Sequence, residues 1–182
     1  MSVINSILST LAERFALSPN QVEKRNRARG KMEQILNSND YLNYGRPSRI
    51  FVQGSTAHDT SIHVTANTTF DVDVVAVYES SSRDPVRERD SRKHLIGMRD
   101  LLKANSQNAN LDKDRCIRIH RDPRFMIDVV AAFATNESPV LWVPNIEGIW
   151  VRNAPELHNA WCQNFEDTSG GNFSKCVRLI KL

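Results

Sequence analysis

Asp71 and Asp73 stand two apart in the segment FDVDVVAVY, and Asp128 interrupts the otherwise apolar FMIDVVAAF. In an extended strand, residues i and i+2 share a face, so the first two carboxylates lie side by side. Like charges held that close are costly unless cations occupy the gap. Asp128, on an apolar strand, faces a large desolvation cost if it is left unpaired. Together the three acids make a hard oxygen donor set suited to Mg²⁺, as two ions, with Mn²⁺ as an alternative. Two such ions about 4 Å apart can activate an attacking hydroxyl and stabilise a departing diphosphate. Phosphoryl transfer of this kind needs positioning and charge neutralisation more than covalent help. The acids are preceded by Gly54-Ser55. Glycine permits a tight turn there, and successive N–H groups with the serine hydroxyl can hold terminal phosphate oxygens. Thr60 and Ile62 would cap and anchor the short helix carrying that turn.

The elements that must carry these residues are set by periodicity. Arg49 to Gln53 (RIFVQ) and Phe70 to Tyr78 predict strands, the latter with Phe70, Val72, Val74 and Ala76 opposite Asp71, Asp73, Val75 and Val77. Arg115 to His120 and Phe125 to Phe133 predict two more, turning at Arg121, Asp122 and Pro123. Met126, Asp128, Val130 and Ala132 share a face of the second. His63 to Thr69 reads as a loop over the site. Val3 to Phe15 predicts a helix with an apolar stripe of Ile4, Ile7, Leu8, Leu11, Ala12 and Phe15. Ser18, with Pro19 at the first helical position and Gln21 at the third, predicts a capping box opening a second helix. Its apolar residues are Val22, Ala28, Met32, Ile35 and Leu36. Further helices are expected over Pro85 to Ala104, Glu156 to Asn164 and Phe173 to Leu182. The last has no C-cap signal, which suggests that a helical part once came after it.

A chain of 182 residues can bury one core. Its 24 Lys+Arg against 21 Asp+Glu give a net charge of +3, which suits a nucleotide but lacks the dense basic surface of most polynucleotide binders. Binding of nucleic acid is left open. Cys116, Cys162 and Cys176 form no CxxC pair and are odd in number, which argues against a disulfide framework or a structural zinc site. No run has the length of a membrane span and no leader pattern opens the chain, so a cytoplasmic protein is expected.

GSTAHDTSI from Gly54 to Ile62 fits GSxxxxTxI, DVDVV from Asp71 fits DxDxV, and IDVVAAF from Ile127 is similar to a third-carboxylate strand. In these motifs the chain resembles the nucleotidyltransferase superfamily. Within it the chain most resembles the bacterial cyclic-oligonucleotide synthases, or CD-NTases, relatives of cyclic GMP-AMP synthase and oligoadenylate synthase. PNIEGIW, APELH and VRLIK, between Pro144 and Lys181, are similar to the segments C-terminal to the third acid in that group. The resemblance implies an α/β (α+β) nucleotidyltransferase fold, a small twisted mixed sheet flanked by helices. Residues 1–182 would form the catalytic domain, with helices over 3–37 packed on it and a C-terminal helical domain largely absent. It implies that Asp71, Asp73 and Asp128 are the catalytic metal ligands. Gly54, Ser55, Thr60, Gln53 and Lys181 would form the nucleotide-binding set, Lys181 reaching the outer phosphates. Substrates would be nucleoside triphosphates such as ATP or GTP, and the product a cyclic di- or oligonucleotide messenger in anti-phage defence. A regulatory protein or the missing C-terminal domain is the expected partner. Two other readings stay open: transfer of a nucleotide to a small molecule, a protein or an RNA end, and a catalytically inactive nucleotide-binding regulator.

Several residues invite over-reading. His58 could touch phosphate, but a solvent-exposed loop histidine is the expectation. His63, His94, His120 and His158 read as surface or packing histidines without partners at metal-ligand spacing. Arg115, Arg118, Arg121 and Arg124 recur every three residues, and a solvated or salt-bridged surface is expected of them over a role in steering triphosphates. Trp142, Trp150 and Trp161 are expected to fill core or interface space rather than stack on a base.

Overall fold

The computed structural model describes residues 3–42, 44–63, 69–79, 90–135 and 137–181. Its elements run α1 (Val3–Arg14), α2 (Pro19–Ser38), β1 (Arg49–Gln53), α3 (Gly54–Ala57), β2 (Phe70–Tyr78), α4 (Arg92–Ala104) and β3 (Ala109–Asn110). They continue β4 (Ile117–Asp122), β5 (Phe125–Ala134), β6 (Leu141–Pro144), β7 (Trp150–Asn153), α5 (Pro155–Thr168) and α6 (Phe173–Ile180). The sheet is mixed, in the order β1-β2-β5-β4-β3, with β6 and β7 continuing from β5. This is the α/β arrangement, a mixed sheet flanked by helices, that the resemblance implies.

β2 and β5 are the parallel centre of the sheet, paired from Phe70↔Phe125 to Tyr78↔Phe133. Both are rich in Val and Ala, the composition of strands buried on two faces. One face carries Val72, Val74, Ile127 and Val129 and packs against Met32 and Leu36 of α2 and Leu95, Met98 and Leu102 of α4, all fully buried. The alternate residues Val75, Val77, Val130 and Ala132 make a smaller cluster on the other face with Leu141 and Val143. The first part of that second face carries the acids.

α2 opens with the expected capping box, the Ser18 side chain accepting from the Gln21 backbone while the Gln21 side chain accepts from the Ser18 N–H. The helix expected to open the chain forms, and its apolar stripe is covered only in part. Ala12 is buried, but Ile7 is 54% exposed and Leu8 and Leu11 also reach solvent, because α1 meets chiefly α6 and its outer side is uncovered. The short β3 and β7 have too few residues to show alternation and are not among the strands the sequence predicts. α4 starts at Arg92; the part of that expected helix before residue 90, including Val86, lies outside the described residues. The expected loop over the site lies outside them between residues 64 and 68. α5 extends four residues past its expected end.

Candidate active site

The parallel register sets Asp73 directly beside Asp128. Asp71 lies two residues earlier on β2, so alternation turns all three carboxylates to the same face. The side chain of Asp71 is 45% exposed and Asp128 is 5% exposed, so the set runs from the rim of a cleft into its floor. Asp73 feels this most. Burial first, then the charges of Asp71 and Asp128, push its carboxyl up to about 7, against the opposing pull of Arg118 and Lys113. A carboxylate group that resists ionising beside two others is one whose charge a divalent cation would restore. The residues therefore fit the hard-cation donor set expected of them.

Arg118 is a site residue whose part the sequence reading missed. β4 pairs antiparallel with β5, and Arg118 stands opposite Asp128 in that ladder. Its guanidinium donates from Nε to Asp128 Oδ1 at 2.7 Å and from Nη2 to Oδ2 at 2.6 Å, and lies 3.5 Å from Asp71 Oδ2. This planar two-bond pairing compensates the buried carboxylate. Of the expected solvated or salt-bridged surface, Arg118 keeps the salt bridge but not the surface position, its side chain being only 14% exposed. A strand reverses its face at every step, so a three-residue spacing cannot keep four side chains on one side. Arg118 turns inward, while Arg121 is exposed and donates to Gln107 Oε1. The signal was legible: a tight turn near Asp122 to Phe125 puts residues 118 and 128 across from each other.

The Gly54-Ser55 turn is fitted against the acids. Gly54 has a φ of +64°, and a β-carbon there would stand 2.6 Å from Asp73 Oδ2, so only glycine lets the turn approach the carboxylate. Gln53 pairs with Asp73 in the β1–β2 ladder and precedes α3 without a side-chain cap. Ser61 Oγ lies 3.1 Å from Ser55 Oγ, and the Thr60 N–H donates to the Ser55 carbonyl. Ile62 is anchored by a bridge to Ala16. Lys181 Nζ donates to the Thr60 carbonyl at 3.0 Å and to its hydroxyl at 3.4 Å, and Arg178 donates to the Asp59 carbonyl. The end of the chain is thus fastened to the loop just past the turn. Burial draws the Lys181 ammonium below its ordinary value, with Asp71 pulling the other way. Thr60 is buried and acts as the seat of Lys181.

The histidines depart from expectation in two places. His58 is half-buried rather than solvent-exposed, because α5 crosses over it; its ring meets that of His158 at 5.1 Å. His158, read as lacking a partner, has Cys162 four residues on, with Sγ and Nε2 3.8 Å apart. His94 packs as expected, against Phe133 and Trp150. Trp150 is in the aromatic core, whereas Trp161 is 54% exposed against Phe165.

Residues 1–165 match the Second Messenger Oligonucleotide or Dinucleotide Synthetase domain family. No curated protein sequence matches the chain. Among solved structures, the E. coli CdnC with ATP is similar at a TM-score of 0.69 and 17% identity, over 96% of this chain and 55% of that one. The Bradyrhizobium diazoefficiens CD-NTase CdnG in complex with GTP gives 0.68 and 17%, over 88% and 46%. The STING-associated CdnE c-di-GMP synthase from Capnocytophaga granulosa gives 0.68 and 18%, over 95% and 55%. At these identities the likeness is one of fold, and the chain spans about half the length of the structures it matches.

Proposed function

Because this chain belongs to the Second Messenger Oligonucleotide or Dinucleotide Synthetase family, we propose that it joins nucleoside triphosphates into a cyclic di- or oligonucleotide. In each round a ribose hydroxyl attacks an α-phosphate, a new phosphodiester bond forms, the bond to the bridging oxygen breaks, and diphosphate leaves. The observation that carries the proposal is the meeting of Asp71, Asp73 and Asp128 on one face, with Gly54 packed against Asp73.

Asp71, Asp73 and Asp128 would hold the divalent cations, with Mg²⁺ the ion best suited to carboxylates plus phosphate oxygens. When bound, such ions neutralise phosphate charge and ease deprotonation of the attacking hydroxyl. The chain's own residues do the rest. Ser55, accepting from Ser61, keeps its own proton to donate to a phosphate oxygen. Lys181 has two of its three N–H donors on Thr60 and offers the third to the outer phosphates. Arg118 holds Asp128 in place and offsets one of the three negative charges. The product would serve as a second messenger in anti-phage defence in the cytoplasm. Around α6, exposed Ile7, Leu8 and Leu11 of α1 and Trp161 and Phe165 of α5 offer apolar surface that a further helical part or a regulatory protein would cover.

The test is product analysis. The protein incubated with the four ribonucleoside triphosphates and Mg²⁺ should release diphosphate and a phosphatase-resistant cyclic product, and the Asp71→Asn/Asp73→Asn variant should release neither. Release unchanged in that variant overturns the assignment, and product only on addition of a separate acceptor favours transfer to that acceptor. Arg118 occupying both oxygens of Asp128 favours one second reading, a nucleotide-binding regulator without transfer. Binding of a non-hydrolysable triphosphate that is indifferent to Mg²⁺ would support it.

A further inference from the structure

Away from the acids, among the described residues, one group of side chains has the composition and spacing of a metal site. His58 closes α3, and His158 and Cys162 stand one helical turn apart on the same side of α5. One ligand atom from each lies within 4.8 Å of the other two. Cys162 is 4% exposed, and His58 Nε2 is buried without a hydrogen-bond partner. We propose that His58, His158 and Cys162 form a second metal site, distinct from the carboxylate cleft, that takes Zn²⁺ or a similar thiophilic divalent ion.

The donor chemistry separates the two sites. Carboxylates select Mg²⁺ or Mn²⁺, whereas two imidazoles and a thiolate select zinc and its neighbours. Tetrahedral zinc, with nitrogen near 2.0 Å and sulfur near 2.3 Å, sets its ligand atoms roughly 3.3–3.6 Å apart. The Cys162–His158 distance of 3.8 Å is close to that already. Closing the widest pair, at most 4.8 Å, takes about 1.2–1.5 Å of side-chain movement. A buried ring nitrogen lacking a partner is otherwise a net cost, which coordination removes. Burial holds the Cys162 thiol up, and a bound dication would bring it down to thiolate. The nearby Lys181 ammonium opposes a dication, and the thiolate charge offsets that opposition. Three protein donors leave a fourth position for water or a ligand.

The site would tie the loop beyond the Gly54-Ser55 turn to α5. That helix is already fixed to β1 by the Arg49–Glu156 ion pair and by Asn159 donating to the Val52 carbonyl. Zinc there would clamp the phosphate-binding turn from behind.

Cobalt is the probe, on the whole chain without an affinity tag. Co²⁺ should bind this site at one per chain with a sulfur-to-metal charge-transfer band and tetrahedral visible bands, and equimolar Zn²⁺ should displace it. The band should persist in Cys116→Ser, whose thiol lies near the acids, and in Asp71→Asn/Asp73→Asn, and vanish in Cys162→Ser. His158→Gln alters an exposed side chain and should fold normally. It should weaken Zn²⁺ binding by more than about 100-fold, beyond the 10–100-fold typical of losing an outer partner. No charge-transfer band, a band that survives Cys162→Ser or one that is lost with Cys116, or Zn²⁺ affinity unchanged in His158→Gln overturns the proposal and leaves a simple thiol–imidazole contact.

Discussion

Asp73→Asn should make the metal-free protein more stable while disabling its acid cleft. The Asp73 carboxyl is raised from 3.8 to about 7, chiefly by burial and then by Asp71 and Asp128. A raised pKa means that the folded state holds its proton more tightly than the unfolded state does. The associated stability is fully present below pH 3.8 and is lost as pH rises through about 7. At about 1.4 kcal/mol per pH unit the full loss has a ceiling of about 4 kcal/mol, and solvent screening at the cleft brings it nearer 2 kcal/mol. Asparagine has nearly the same shape and no charge to lose. The variant should therefore match the parent near pH 4 and exceed it at pH 8 by about 2 kcal/mol, a rise of about 4–8 °C in Tm for a domain of this size. Thermal unfolding from pH 4 to pH 8, with a chelator present, measures this directly. Millimolar Mg²⁺ or Mn²⁺ with a non-hydrolysable triphosphate should then stabilise the parent and not the variant. A variant no more stable than the parent at pH 8, or a difference that does not change with pH, would refute the charge argument.

Gly54→Ala must relieve a 2.6 Å approach to Asp73 Oδ2 at a left-handed φ, so it should lower stability by about 1–2 kcal/mol and diphosphate release by at least tenfold, read by unfolding and a coupled release assay. Arg118→Leu leaves Asp128 buried and unpaired and should cost about 3 kcal/mol in denaturant unfolding, partly recovered by divalent cations with triphosphate; full stability in their absence would show that the pair does not hold the site. Lys181→Met should raise the KM for triphosphate about tenfold with a smaller effect on kcat, since the proposed contact of its ammonium with the outer phosphates would be made in both ground and transition states.

The acids were legible because each breaks an apolar strand pattern, Asp71 and Asp73 on one face of β2 by the period of two and Asp128 alone in β5. The observed starts of both strands fall on the residues expected, and their parallel register then sets Asp73 beside Asp128. The turn was legible from Gly54-Ser55 only in combination with Thr60, Ile62 and the acids, and its reason, the nearness of Asp73, needs coordinates. Pairing across elements stayed hidden. Arg118 looks like one of four regularly spaced cations until strand alternation and hairpin register are applied to it. His58 is far from His158 in sequence, so the meeting of their rings depends on how α5 lies over α3. The His158–Cys162 spacing was in plain view and gained meaning only with His58 beside it. α1 misled for the opposite reason. A helical stripe reports which residues could be buried, and burial requires a neighbour broad enough to cover them.

The weak net charge of +3 can be reconciled with the proposed nucleoside triphosphate substrate through the same cleft. A protein that bound triphosphate by its own cations alone would need a basic pocket, and such a pocket would not seat three carboxylates beside the phosphates. Here the chain supplies Arg118 and Lys181 against Asp71, Asp73 and Asp128, leaving the cleft short of positive charge. Two divalent ions arriving with the nucleotide would nearly balance the acids and the triphosphate together. Affinity should then depend on cation and nucleotide jointly, each poor without the other. The burial, and then the repulsion from Asp71 and Asp128, that raise the Asp73 carboxyl in the free protein are what make them interdependent.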